Sequence, residues 1–505
     1  MTHFFKRRVN TLTKSILVAL AATGVAASAH SAADLHYASV SELSKMMADN
    51  ELTAVELVEH FQQRIAELDK QGPAIHAIVE LNSQAIEIAT ALDNERNEGL
   101  SRGPLHGIPV LLKDNFDTAD SLQTGAGSLA MVGQPAANDA FVVKQLRDAG
   151  AIILGKANMS EWAYVREMGL PHGWSGRGGQ GKNPHALSEE ICGSSSGSAA
   201  AVAAGFAPIS LGTETNGSIT CPASANGVIG VKPTLGLFSR TGVVPITRLQ
   251  DTPGTLTRTV RDAAMMFNVL QGSDAADSAT SIAPTGIDYT ALLANDALQG
   301  KRIGYPVAYE GTGGVTLTPG VEFQKAMITL EKQGATLVPV TVRLPDIDNF
   351  VPGLMGAMKY ELPEYLVSRS GLPIQSLQDL IDFNQLNPGK EGYGQATLEA
   401  MNALDMTHEQ ASGLILSISK NFKDAIDEQL REHNLDAMVA EADGYSQFSA
   451  AVAGYPAVTL PSGMSANGMP TSVFFFGKAW SEPQLFAMAY SYEQASAELR
   501  HPAFK

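Results

Sequence analysis

The sequence predicts an α/β protein, with a large mixed central β-sheet covered by helices on both faces. Two observations carry that expectation. Helical stretches that end in glycine run at once into short segments led by an unbroken apolar run, as where NDAFVVKQLRDAG meets AIILGKAN, and the order recurs along the chain. Segments apolar at every position, rather than at alternate ones, are how strands buried on both faces read. The 505 residues, 44% hydrophobic and only 17% charged, can bury a large core.

The elements follow in order. Ser39-x-x-Glu42 and Thr53-x-x-Glu56 read as capping boxes, the second opening VELVEHFQQRIAELDK before Gly72-Pro73 stops it. SQAIEIATALDNERNEG is a further helix, and GIPVLLKDN a short buried strand. After the pair quoted above, GSAAAVAAG reads as a small-residue helix, with APISLGT and GVIGVKPT as strands. Residues 270–290 form a polar interruption, read as a long loop. Beyond it KRIGYPV, GATLVPVTV, LDAMVA, YPAVTLPSG and TSVFFFG read as strands, and SEPQLFAMAYSYEQASAEL as the closing helix. The irregular NQLNPGKEGYGQ reads as a substrate loop. With no internal repeat and no tandem break, residues 34–505 are expected to form one domain.

Residues 1–33 read differently. Lys6, Arg7, Arg8 and Lys14 precede the apolar SILVALAATGVAASA, and no acidic residue occurs before Asp34. The apolar run is too short to span a bilayer and ends in Ala27-Ser28-Ala29, a small-residue cleavage pattern. An export signal is expected, with a periplasmic or secreted product. Arg7-Arg8 raises a twin-arginine route, although KRRVNTL matches that pattern poorly.

Composition removes several function classes. A net charge of −17 and an isoelectric point near 5.1 oppose nucleic-acid and anionic-membrane binding. The two cysteines cannot make a zinc site alone, and the eleven histidines show no paired metal spacing. No metal or cofactor is expected. GRGGQGKN, residues 176–183, nearly matches a phosphate-binding loop, but Asn183 stands where a magnesium-binding hydroxyl belongs and no strand precedes it.

Three stretches bear chemistry: PVLLKDN with Lys113, CGSSSGS with Ser194, and TETNGSITCP with Ser218. A serine hydroxyl becomes a nucleophile only when a neighbour takes its proton. A lysine can do so once burial has lowered its pKa. Lys113 directly follows Val110-Leu111-Leu112, near the carboxyl end of a buried strand, where open α/β sheets gather their sites. Gly217 would let consecutive backbone N–H groups converge as an oxyanion hole. Taken singly, these features equally describe a surface ion pair, a flexible linker and a turn.

Together they resemble the amidase signature family. The resemblance extends through GPLHGIPVLLKDN, DAGAIILGKANMSEWA, GVIGVKPTLGLFSRTG, RTVRDAA and GYPAVTLPSG, from about Leu35 to about Arg500, and within that family it is strongest to bacterial peptide amidases. It implies Ser218 as nucleophile and Ser194 as bridge to Lys113, with Gly193–Ser194 in the cis form. The backbone N–H groups of Thr215, Asn216, Gly217 and Ser218 would form the oxyanion hole, and Thr213 would support the lysine–serine network. Cys192, Ser196 and Asn216 stand where glycine is frequent in the family. The implied reaction converts the C-terminal amide of a peptide into free acid and ammonia, in a monomer. Aryl, aliphatic or fatty-acid amides, and an amidotransferase component working on tRNA, are the alternatives. Cys192 and Cys221, flanking the two serines, are read as free, buried, small hydrophobes rather than as a disulfide.

Overall fold

The computed structural model describes residues 32–505 apart from 312, 313, 390 and 443, so residues 1–31 of the expected export signal lie outside the described residues. Twelve strands pair into one mixed sheet. Its order begins Ile78–Leu81, Ile152–Ala157, Pro109–Lys113, Ile209–Glu214, Thr252–Thr257 and Ile229–Lys232. It continues through Ala457–Met464, Pro470–Phe476, Ala437–Glu441 and Arg302–Glu310, the last pairing with both Val315–Thr316 and Thr336–Arg343. The α/β expectation with a mixed sheet holds.

Pro109–Lys113 runs parallel to both its neighbours, Ile152–Ala157 and Ile209–Glu214. All three are buried at every position, and Pro109–Lys113 and Ile152–Ala157 accordingly carry unbroken apolar runs. Parallel strands end on the same edge of a sheet, so Lys113 and Thr213 emerge side by side. That edge carries the site. The TSVFFFG strand is core: Val473 and Phe475 join one buried cluster while Phe474 and Phe476 join another, as alternate side chains of a central strand must.

The helix Ser196–Ala204 is built from Ser, Gly, Ala and Val alone, and every residue is buried. Its small side chains let it lie close against the sheet. At Gly197 a Cβ would stand 2.4 Å from the Ala77 carbonyl oxygen and 2.5 Å from Asn158 N, so glycine is required there. Both expected capping boxes form, Ser39 with Glu42 and Thr53 with Glu56.

Thr252–Thr257 escapes sequence reading. TPGTLT has poor strand propensity, yet it pairs with strands on both sides. Gly254 serves close approach, since a Cβ there would meet the Val231 carbonyl oxygen at 2.4 Å. Residues 270–290 are largely irregular, as expected, with one short 3-10 turn over Ser278–Ile282.

Candidate active site

Lys113 is fully buried at the end of its strand. Its Nζ lies 2.8 Å from Ser194 Oγ, 2.8 Å from Thr213 Oγ1 and 3.1 Å from the Thr213 carbonyl oxygen. Asn115, two residues on, donates from Nδ2 to Thr213 Oγ1 at 3.0 Å and fixes that hydroxyl from the other side. Burial lowers the lysine pKa to about 7, and the more distant carboxylates of Asp251 and Glu214 only partly offset it. Lys156 and Lys232 are also buried, with pKa values lowered by burial to about 8. Neither touches a serine: Lys156 donates to the Phe116 carbonyl and Thr124 Oγ1, and Lys232 to the Pro233 carbonyl. Lys113 is thus distinguished by its partners more than by its burial.

Ser194 follows a cis peptide bond, Gly193–Ser194. Its carbonyl accepts from Ser160 N at 3.1 Å, while Ser195 N donates to the Ser218 carbonyl at 3.1 Å and stitches the two serine segments together. Ser195 Oγ donates to the Thr213 carbonyl at 3.1 Å. The structure therefore brings Lys113, Ser194 and Thr213 into direct hydrogen-bonded contact and draws Ser218 alongside through the backbone. No hydrogen bond joins the Ser218 hydroxyl to Ser194 among the described residues.

The expectation of free cysteines is corrected. Cys192 and Cys221 form a disulfide, with Cα atoms 5.9 Å apart. The Ser195–Ser218 hydrogen bond explains how: pairing those segments brings Cys192, just before one serine, against Cys221, in the first turn after the other. A sequence separation of 29 residues gives no hint of it.

Ser218 sits in the turn between Ile209–Glu214 and the helix Thr220–Asn226. Gly217 takes φ +77, which a side chain would strain. The buried Glu214 carboxylate accepts from Ile219 N at 2.8 Å and Thr220 N at 2.9 Å. No hydrogen bond from the N–H of Asn216, Gly217 or Ser218 occurs among the described residues, so those donors are uncommitted. Sequence reasoning missed what holds Thr215. Its hydroxyl donates to Asp251 Oδ1 at 2.5 Å, and its carbonyl accepts from Gln250 Nε2 at 2.6 Å. Asp251 Oδ2 accepts from Ile246 N and Thr247 N at 2.7 and 2.9 Å. Burial raises the Asp251 pKa to about 7. Nothing in the local pattern around Gln250-Asp251 signals this role, because the contacts span about 35 residues.

A groove opens beside Ser218, lined by Tyr164, Met168, Ile246, Leu354, Met355 and Met358 among others. One wall has unusual backbone: Trp162, Ala163 and Tyr164 have φ of +53, +53 and +81. Left-handed non-glycine residues cost about 1 kcal/mol each and gather at functional sites. Buried Trp162, whose backbone N–H donates to the Ala126 carbonyl at 2.9 Å, helps hold this stretch. The irregular segment expected to be a substrate loop lies elsewhere, its Asn387, Gly389 and Glu391 lining a different cavity with Arg166 and Trp174. The near phosphate-loop is a structural turn: Lys182 Nζ donates to the Pro73 carbonyl at 3.0 Å, and Asn183 Nδ2 to the Ala225 carbonyl at 2.7 Å.

This arrangement of a buried lysine, adjoining serines and a turn of free N–H groups suits acyl transfer from an amide. The Amidase family profile matches residues 56–440, and the chain belongs to the amidase family. It is an amide-hydrolysing enzyme of the amidase signature type. The peptide amidase of Stenotrophomonas maltophilia is 41% identical in sequence and superposes with a TM-score of 0.85, covering 92% of this chain and 98% of that one. A protein of Arabidopsis thaliana described as "Probable amidase" is 37% identical over 486 residues, covering 92% of this chain and 91% of its own length. The A-type component of the glutamyl-tRNA(Gln) amidotransferase of Acinetobacter baumannii is 32% identical over 494 residues, covering 91% of this chain and 96% of its own length.

Proposed function

We propose that this enzyme hydrolyses the C-terminal carboxamide of peptides to free acid and ammonia, with Ser218 as nucleophile and Ser194 and Lys113 as its proton relay. The observation that carries the reading is the setting of Lys113. A neutral amine has two N–H bonds and one lone pair. Thr213 offers two acceptors, its carbonyl and its hydroxyl, which engage both N–H bonds. The lone pair is left facing Ser194. Ser194 then passes its proton to Lys113 as it takes that of Ser218, and Ser218 Oγ bonds to the amide carbonyl carbon. The N–H groups of residues 215 to 218 receive the oxyanion. As the C–N bond breaks, the proton returns through Ser194 to the departing ammonia. Water attacks the acyl-enzyme by the same relay and releases the acid.

The peptide carboxamide as substrate rests on the 41% identity to the Stenotrophomonas peptide amidase. The likeness to an amidotransferase component keeps ammonia transfer to a partner as the second reading, and the expected export signal argues against it, since tRNA is cytoplasmic. The same reading takes residues 34–505 as one catalytic domain in the periplasm or medium, where the Cys192–Cys221 disulfide would persist. No helix among the described residues is long and apolar enough to cross a membrane. The test is ammonia release from a short peptide amide by the wild type and by Ser218→Ala. Release by the wild type alone, yielding intact peptide acid and no shorter fragments, supports the reading. Equal release by both removes Ser218 as nucleophile.

A further inference from the structure

We propose that the groove beside Ser218 is a side-chain pocket that selects amides carrying a large apolar group next to the carboxamide, with Met168, Met355 and Met358 as specificity-determining residues. The inference rests on the amide-hydrolysis reading above. Ammonia is so small a leaving group that nothing on the nitrogen side needs a groove. The space continuing from Ser218 is therefore filled by the acyl portion.

That space has a definite chemistry. Among the described residues, no Asp, Glu, Lys, Arg or His lines it. A charged side chain entering it would shed water and find no group of opposite charge, whereas an apolar one loses only unfavourable hydration. Met355 and Met358 lie three residues apart on the helix Phe350–Val367 and so share one face of it. Met358 is 1% exposed and forms the floor, while Met168, 44% exposed, stands at the mouth. Thioether side chains are unbranched and adapt to rings and branches alike. The pocket therefore discriminates by polarity more than by shape: Leu, Met and Phe amides are grouped together as good substrates, and Gly, Asp and Lys amides as poor ones.

The experiment compares kcat/KM for acetyl-alanyl dipeptide amides ending in Leu, Met, Phe, Gly, Asp or Lys, read as ammonia release. The Leu amide is expected to exceed the Gly amide by roughly 30–100-fold, with Asp and Lys at or below Gly. In Met355→Gln and in Met358→Gln the Leu-to-Gly ratio is expected to fall about tenfold. A ratio within one preparation is insensitive to how much of a variant folds, and half-buried Met355 backs up the more deeply placed Met358. An active wild type with a flat profile, or with a preference for Asp or Lys, overturns the pocket. Calorimetric binding of the same amides to Ser218→Ala separates this inference from the reading beneath it. If the wild type releases no ammonia, yet the variant binds the Leu amide more tightly than the Gly amide by a similar factor, the pocket stands and the hydrolytic reading falls. Binding without discrimination overturns the pocket.

Discussion

The two halves of the active site are built on opposite principles. Around Lys113 the site is closed: Ser194, Thr213 and Asn115 are buried and linked by hydrogen bonds, and strands on both sides exclude water. Around Ser218 the site is open. Ser218 itself is half-buried, Asn216 is exposed, the turn's N–H groups are uncommitted, and an apolar groove leads away. The difference fits the chemistry proposed for each half. A lysine works as a base at neutral pH only when burial destabilises its charge. A nucleophile and its oxyanion donors work only if a substrate can reach them.

The largest expected effects come from breaking either half outright. Ser218→Ala and Lys113→Ala should each lower kcat by about 10³–10⁶-fold, measured as ammonia release, with circular dichroism unchanged. Near-native rates for Lys113→Ala would take the lysine out of the mechanism and make its burial merely structural. Lys156→Met is the matched control, since Lys156 is equally buried but touches no serine. Its activity should stay within about threefold of wild type once scaled to folded protein.

The join between the halves is the next target. Replacing both Cys192 and Cys221 by serine removes the crosslink between the Ser194 and Ser218 segments. A loop of this length should cost about 3–4 kcal/mol of stability, read as a lower urea midpoint. Dithiothreitol on the wild type should do the same. An unchanged midpoint would mean that the Ser195–Ser218 hydrogen bond and the surrounding core hold the segments unaided.

How much of this could be read in the sequence divides along the same line. The closed half was legible because strands and residue types announce it: an unbroken apolar run ending in Lys113, and Ser- and Gly-rich segments opening into a helix and a turn. The cis bond at Gly193–Ser194 and the support from Thr213 came from family resemblance, not from spacing, and both appear in the structure. Of the open half, the turn from Thr215 to Ser218 was legible, but its anchors and the groove were not. Asp251 and Gln250 reach Thr215 across a strand pairing, and Leu354, Met355 and Met358 arrive from a helix far along the chain. Such contacts leave no local pattern. The disulfide failed for the same reason, because two small buried thiols look alike in sequence whether paired or free.

Acid should act mainly through the base of the closed half, with Asp251, the anchor of Thr215, also brought to about 7 by burial. In the proposed relay the working form of Lys113 is neutral, so kcat/KM should be about half its maximum near pH 7 and fall below it, approaching tenfold per unit. Ionised Asp251 favours the charged lysine, so Asp251→Asn should move that acid limb to lower pH. The groups facing Asp251 are Thr215, Glu361 and Lys113, with Glu214 also acting on the lysine. An unmoved limb in Asp251→Asn would assign the titration to another group.

The smallest effect tests whether the open half has hidden support. Thr215 begins the turn proposed to receive the oxyanion, and its hydroxyl and carbonyl are both anchored, by Asp251 and Gln250. Thr215→Val keeps the shape of the side chain and the backbone N–H but removes the donor to Asp251. No oxyanion donor is lost, so the loss should fall short of the 10²–10³-fold that removal of a donor brings. A decrease in kcat of about tenfold with KM nearly constant is expected, because the N–H groups matter most once charge has developed on the carbonyl oxygen. Thr215→Ser restores the hydroxyl and should recover most of that loss. If Val and Ser behave alike, the Asp251 contact anchors the loop at Ile246 and Thr247 without orienting the turn, and the open half depends on its own backbone alone.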